Sequence, residues 1–227
     1  MEREEDSEEG GSTSLDPEEN APLADPRPGF DTRFLNGLWV RTLATLGKHV
    51  TAVAVPLGIL VAGGLADSFI SYRAWFLALP IGALKGLGWG YYLGITARSV
   101  RGGVERGRVL VMVLLALVMT LTAWSFFLGL LVAFTFVFLP ILDFAAYDPS
   151  PERFLRQTVL LLRKSGMTWF ATQGAVMLGT ALVMLTVDAL GSALLGPLFG
   201  GLLAAVILAP IAHVWAVSRA VWCHRWI

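Results

Sequence analysis

The run VLVMVLLALVMTLTAWSFFLGLLVAFTFVFLPIL, residues 109–142, carries no charged side chain across 34 positions. As one α-helix it would be about 51 Å long, against about 30 Å for the hydrocarbon core of a bilayer. Either the chain crosses once in an overlong helix, or it turns back near Ser125 to Gly129 and crosses twice. The rest of the topology depends on which of these holds.

Other charge-free runs stand on both sides of it. Residues 49–66 end before Asp67, and residues 74–97 lie between Arg73 and Arg98 with Lys85 as their one charge. Residues 165–187 and 190–218 follow, the latter entered through Gly196-Pro197. The distribution of Lys and Arg decides between the two folds of the long run. If it is a hairpin, six spans result and fifteen basic residues gather on one face against Arg73 alone. If it is a single span, the basic residues divide nine against seven. Basic residues gather on the cytoplasmic side of membrane proteins, so the hairpin is expected. The sequence therefore predicts an all-α polytopic integral membrane protein, multi-pass in the inner membrane of a bacterium, with both termini cytoplasmic. The spans are expected at about 49–66, 74–97, 109–125, 127–145, 166–188 and 196–218.

Two further segments read as amphipathic helices lying in the membrane interface, at about 34–48 and 151–164. The second has Ser150 as N-cap, Pro151 at the first helical position and Glu152 beside the positive helix start. Residues 1–33 hold eleven of the seventeen acids, three basic residues and four prolines, and read as a disordered cytoplasmic tail. The six-span membrane domain then occupies 34–227. Composition agrees, with 56% apolar and 15% charged residues and a mean hydropathy of +0.67.

The string FVFLPILDFAAYDPSPERFLRQTVLLLRKSG (136–166), two apolar spans and the close LAPIAHVWAVSRAVW (208–222) together resemble a group of multi-span bacterial membrane proteins. That group includes the membrane domain attached to some glycerophosphoryl diester phosphodiesterases. The resemblance implies the six-span architecture; with no phosphodiesterase domain in this chain, it implies no hydrolytic chemistry.

Several function classes are excluded or unsupported. A single cysteine, Cys223, rules out an internal disulfide framework, and three dispersed histidines give no metal-ligand spacing. No nucleophile elbow, metalloprotease helix or phosphate-binding loop is present, so no enzyme chemistry and no cofactor is implied. The basic residues flank lipid-length runs, which argues against nucleic acid as a partner. Membrane lipids, a second copy or a membrane partner protein are the expected partners.

The candidate functional residues fall into three groups. Gly82, Gly86, Gly90 and Gly94 recur every fourth position and form one helix stripe suited to close packing, within the monomer or against another chain. Lys85, with Trp89 one turn away, either binds an anionic group on a ligand or transport path, or snorkels to the interface. His213, between the Pro210 kink and Trp215, is a candidate for the same path or an interfacial histidine. Arg98, Arg101, Arg153, Arg163 and Lys164 are candidates for lipid head-group contact. The leading expectation is a non-enzymatic scaffold or accessory subunit, and the alternative is a small transporter using Lys85.

Overall fold

The computed structural model describes residues 30–48, 50–69, 75–101 and 104–227. The tail through Gly29, His49 and Arg73 lies outside them. Every regular element among the described residues is helical.

The long apolar run folds as a hairpin. Helix α4, Glu105–Trp124, ends where Ser125 turns extended at φ −141° and ψ 106°. The return arm is α5, Phe126–Phe138, followed after Leu139-Pro140 by α6, Ile141–Tyr147. Proline 140 has no amide proton to continue the ladder, so the arm breaks there. The base of the hairpin is closed by the Val104 amide, which donates to the Ala146 carbonyl at 3.2 Å. Gly107 lies so close to the carbonyls of Ala145 and Ala146 that a Cβ there would strike them.

Both amphipathic segments are present. Helix α1, Thr32–Lys48, is capped by Asp31, whose Oδ1 accepts from the Arg33 and Phe34 amides at 3.0 and 3.1 Å. A 3₁₀ turn at Val50–Val53 leads into α2, Ala54–Phe69, and the pair bends by 87°. The second segment opens α7, Pro151–Leu195, and is set off from the remainder by non-helical geometry at Ser165. The Ser165 hydroxyl donates back to the Leu161 carbonyl at 3.1 Å, a local bond that bends helices. Pro151 stands at the first position as expected, but the Ser150 side chain makes no capping bond. Asp148 acts instead, accepting from the Ser150 amide at 2.9 Å and from Arg153 at 3.1 Å.

Successive long helices run antiparallel. A second 3₁₀ turn, Trp75–Leu77, precedes α3, Ala78–Arg101. Gly63 of α2 lies against Lys85 of α3, while Ile59 lies against Gly88. Gly82, Gly86, Gly90 and Gly94 of α3 meet Met119, Leu115, Met112 and Arg108 of α4 in descending order. Gly196, at φ 83°, turns α7 into α8, Pro197–His224, a left-handed conformation that glycine adopts without strain. Beyond that turn Gly191 and Gly200 allow the two backbones to touch.

Three of the described helices, α4, α7 and α8, are long and apolar enough to cross a membrane, and the bent α1–α2 pair makes a fourth if taken as one broken span. This is fewer than the six expected spans, and each shortfall has a local cause. Helix α2 has 16 residues; α3 has 24 but includes Lys85, Arg98 and five glycines; Pro140 divides the return arm into pieces of 13 and 7.

Burial is concentrated at one end. Phe34 of α1 packs against Trp222 of α8 with ring centroids 5.3 Å apart and planes tilted by 60°, and Trp169 of α7 meets the same indole edge-on at 5.0 Å. The Asp31 amide donates to the Thr168 hydroxyl at 3.1 Å, and the Tyr147 hydroxyl to the Ala220 carbonyl at 3.2 Å. The first described helix and the last residues of the chain are thus packed together.

Candidate functional site

Near that end the helices bring one carboxylate and one guanidinium into the interior. Asp143 lies in the first turn of α6, within the apolar string LPILDFAAY. Arg219 lies in the last turns of α8, between Val217 and Val221, both buried. Their side chains are only 7% and 3% exposed. Arg219 Nε donates to Asp143 Oδ1 and Oδ2 at 3.0 and 3.1 Å, and its Nη2 forms a short ion pair with Oδ2. Gln173 of α7 extends the network: its Oε1 accepts from Arg219 Nη1 at 3.2 Å and from the Trp215 indole at 2.8 Å.

Two indoles flank the guanidinium, Trp169 at 5.0 Å and Trp215 at 4.8 Å from their ring centroids. Spacing explains the arrangement. Trp169 and Gln173 are four residues apart on α7, as are Trp215 and Arg219 on α8, so each pair shares a helix face. Trp169 also donates to the Phe138 carbonyl at 2.6 Å, satisfying one of the carbonyls orphaned where α5 ends. The ion pair, the amide and the indoles tie α5, α6, α7 and α8 to one another. Desolvating two charges is costly, and bidentate pairing with further hydrogen bonds and cation–π contacts offsets it.

On the interior side of this network is a cavity of about 240 Å³ between α3, α4, α6 and α8. Asp143 and Arg219 line it, with Trp89, Leu142, Val118 and the small residues Ala212 and Ala216. Trp89, Ala212 and Trp215 also line a cleft of about 380 Å³ that extends between α2, α7 and α8.

The residues expected to matter are distributed differently. The glycine stripe is used inside the monomer: a Cβ on Gly82 would stand 2.8 Å from the Met119 carbonyl, and on Gly86 or Gly90 it would strike the α4 backbone. A Cβ on Gly94 would strike the Arg108 side chain. His213 is buried, 4% exposed, with Nδ1 2.6 Å from the Tyr92 hydroxyl, so it faces the protein interior. Lys85 lays its stem across Gly63 and lines two clefts, about 450 Å³ between α2 and α3 and about 290 Å³ between α2, α3 and α8. It does not line the cavity beside the Asp143 pair, whereas Trp89 lines both that cavity and the smaller Lys85 cleft.

The basic residues lie around the packed end. Arg98 is 3.9 Å from Glu105, Arg153 is paired with Asp148, and both remain largely exposed. Arg163 and Lys164 are exposed on α7, with Lys164 Nζ 5.6 Å from the Trp226 ring centroid. Arg101 closes α3. Arg219 is the exception. Sequence reading places it among the inner-face charges, but it is withdrawn into the interior by Asp143. The signal for this was an isolated arginine one turn after a tryptophan with apolar residues on either side, matched by an aspartate in an equally apolar string.

No protein-family model, curated protein or solved structure matches this chain.

Proposed function

We propose that the protein is a six-pass, non-enzymatic integral membrane protein of the bacterial inner membrane. In this reading it serves as a scaffold or accessory subunit whose cytoplasmic face engages anionic lipid head groups and partner proteins. The observation that carries it is the closure of the α4–α6 hairpin by Val104 and Ala146, which returns the chain to the end where α1 and the C-terminus already meet. Arg98, Arg153, Arg163 and Lys164 then point outward from one end, while the exposed faces of α4, α5 and α7 are apolar. Exposed Trp39, Val40 and Leu43 on α1 suit a helix half sunk in the interface.

The test uses nanodiscs of phosphatidylglycerol or phosphatidylcholine and native mass spectrometry of the released protein. Retained phosphatidylglycerol should exceed phosphatidylcholine, and replacing Arg153, Arg163 and Lys164 together by Gln should remove the difference. Each basic group near an anionic surface is worth about 1 kcal/mol, so the three together give a large signal. Equal retention of both lipids by the unaltered protein would sink the head-group reading.

A second reading is a small transporter, favoured by Lys85 lining two interhelical clefts. An ammonium at that depth costs about 2.5–3.5 kcal/mol on insertion scales, a cost best explained by use. Lys85→Ala should then abolish a transport phenotype in cells while leaving assembly intact. If Lys85→Ala only improves membrane insertion, this reading fails.

A further inference from the structure

We infer that the cavity above the Asp143–Arg219 pair is a binding site for a neutral amphiphile: an apolar chain ending in a hydroxyl group that donates to Asp143. This inference goes beyond the scaffold reading but shares its placement of the chain in a membrane, and it rests on the cavity between α3, α4, α6 and α8 and on the adjoining cleft at α2 and α7.

Three features select that chemistry. First, the lining is apolar apart from the ion pair, with Leu93, Leu115 and Met119 opposite Ala212 and Ala216. The two alanines are one turn apart on α8, and larger residues there would fill the space. Second, the charges are already matched. Asp143 and Arg219 already neutralise each other, so a charged end would gain little net attraction for the water it gives up, whereas a neutral hydroxyl end costs less to desolvate. A carboxylate offers about four acceptor positions, and Asp143 accepts three contacts from Arg219, so its edge can accept one more donor. Third, the volume requires an elongated body. At about 240 Å³ the cavity is smaller than the roughly 300 Å³ at which small-molecule sites begin. A neighbouring cleft of about 380 Å³ has Trp89, Ala212 and Trp215 in common with it and is lined also by Met184 of α7, which is exposed, so the proposed chain would have to extend past these shared side chains into the cleft. The ligand is thus a chain that arrives through the lipid, passes between two indoles and ends polar group first at the ion pair. An ion pair buried for stability alone gains little over apolar residues of the same size.

The experiment is tryptophan quenching of the full chain in nanodiscs by three probes of equal chain length: ω-bromoundecanol, ω-bromoundecanoate and ω-bromoundecylammonium. The alcohol should quench saturably at a concentration about tenfold below the other two, the discrimination one hydrogen bond to a buried charged group provides. Ala212→Leu should abolish the saturable component. Asp143→Asn leaves the Arg219 charge uncompensated, so the order should invert and the carboxylate should bind best. Brominated farnesol, run alongside, shows by its rank against the straight chain whether an isoprenoid or an unbranched alcohol fits. Equal, unsaturated quenching by all three probes in the unaltered protein would overturn the proposal, whatever the variants do. An unchanged order in a folded Asp143→Asn protein would overturn it as well.

Discussion

At the end where α1, α7 and α8 converge, Phe34, Leu161 and Trp222 are 1% exposed or less, whereas at the opposite end Phe127, Leu194 and Trp124 are 84%, 80% and 69% exposed. Both sets are large and apolar, so hydrophobicity does not distinguish them. In water the second set would be a liability. In lipid, acyl tails are as apolar as leucine, and helices associate only where close packing or polar pairing gives them a reason to. Those reasons are unevenly placed in this chain. The ion pair, its indoles and most of the buried aromatic contacts lie toward the converging end, and the glycine contacts run along α3 and α4. The far half of α7 and the exposed face of α5 have little of either, and their apolar surface stays exposed.

The largest expected effect tests whether small residues hold the packed region. Gly86→Leu or Gly90→Leu would drive a side chain into the α4 backbone, and a loss of at least about 3 kcal/mol is expected from overpacking that cannot relax. Gly179→Leu, in the far half of α7, meets nothing within 4 Å and should leave stability unchanged or slightly raised, since leucine is the better helix former. Denaturant midpoints in one detergent decide the matter, and similar midpoints for the two substitutions would dissolve the contrast between the regions.

Next in size is the ion pair. Arg219→Ala strands the Asp143 carboxylate in the interior, and a loss of about 3–5 kcal/mol is expected. Replacing both residues by Ala should cost less than the sum of the two single changes, because no uncompensated charge remains. Additive losses would show that Asp143 and Arg219 act separately.

The unequal legibility of these features has a physical basis. The hairpin was readable because charge is conspicuous by its absence, and a bilayer length converts 34 apolar residues into a turn. The bends at 87° and at Ser165 were readable as changes from amphipathic to all-apolar pattern. The glycine stripe was readable as a packing surface, but four glycines in register say nothing about whose helix they face. The Asp143–Arg219 pair was not read. Each residue sits close to a run boundary, where a charge is expected anyway, and 76 positions separate them in the chain. A pairing at that distance is a property of the tertiary fold. The contact of His213 with Tyr92 is hidden for the same reason: the two are 121 positions apart, and only the parallel approach of α3 and α8 joins them.

A smaller effect is expected where a single contact bridges the two regions. Trp169→Phe keeps an aromatic ring beside Arg219 but removes the indole donor to the Phe138 carbonyl, at the end of α5. The loss should be about 1–2 kcal/mol, that of one hydrogen bond and part of a cation–π contact. It should also raise hydrogen exchange in α5 more than in α4. Equal exchange in both helices would mean that Trp169 stabilises the Arg219 site without anchoring the return arm.

The smallest expected effect bears on the membrane itself. Phe127→Cys and Leu194→Cys replace highly exposed side chains, so stability should change by no more than about 0.5 kcal/mol. Arg163→Cys, exposed at the packed end, should be equally mild. Cys223 is buried and gives little background to a membrane-impermeant maleimide. Positions 127 and 194 adjoin the turns at Ser125 and Gly196, where the helices end and water is reached, so in intact spheroplasts they should label and position 163 should not; in inverted vesicles the order should reverse. Labelling of 163 and 127 from the same side would mean that the basic end and the exposed apolar end do not face opposite compartments. The looser half would then need a protein partner in place of lipid to cover it, and the contrast between the two ends would describe an incomplete assembly.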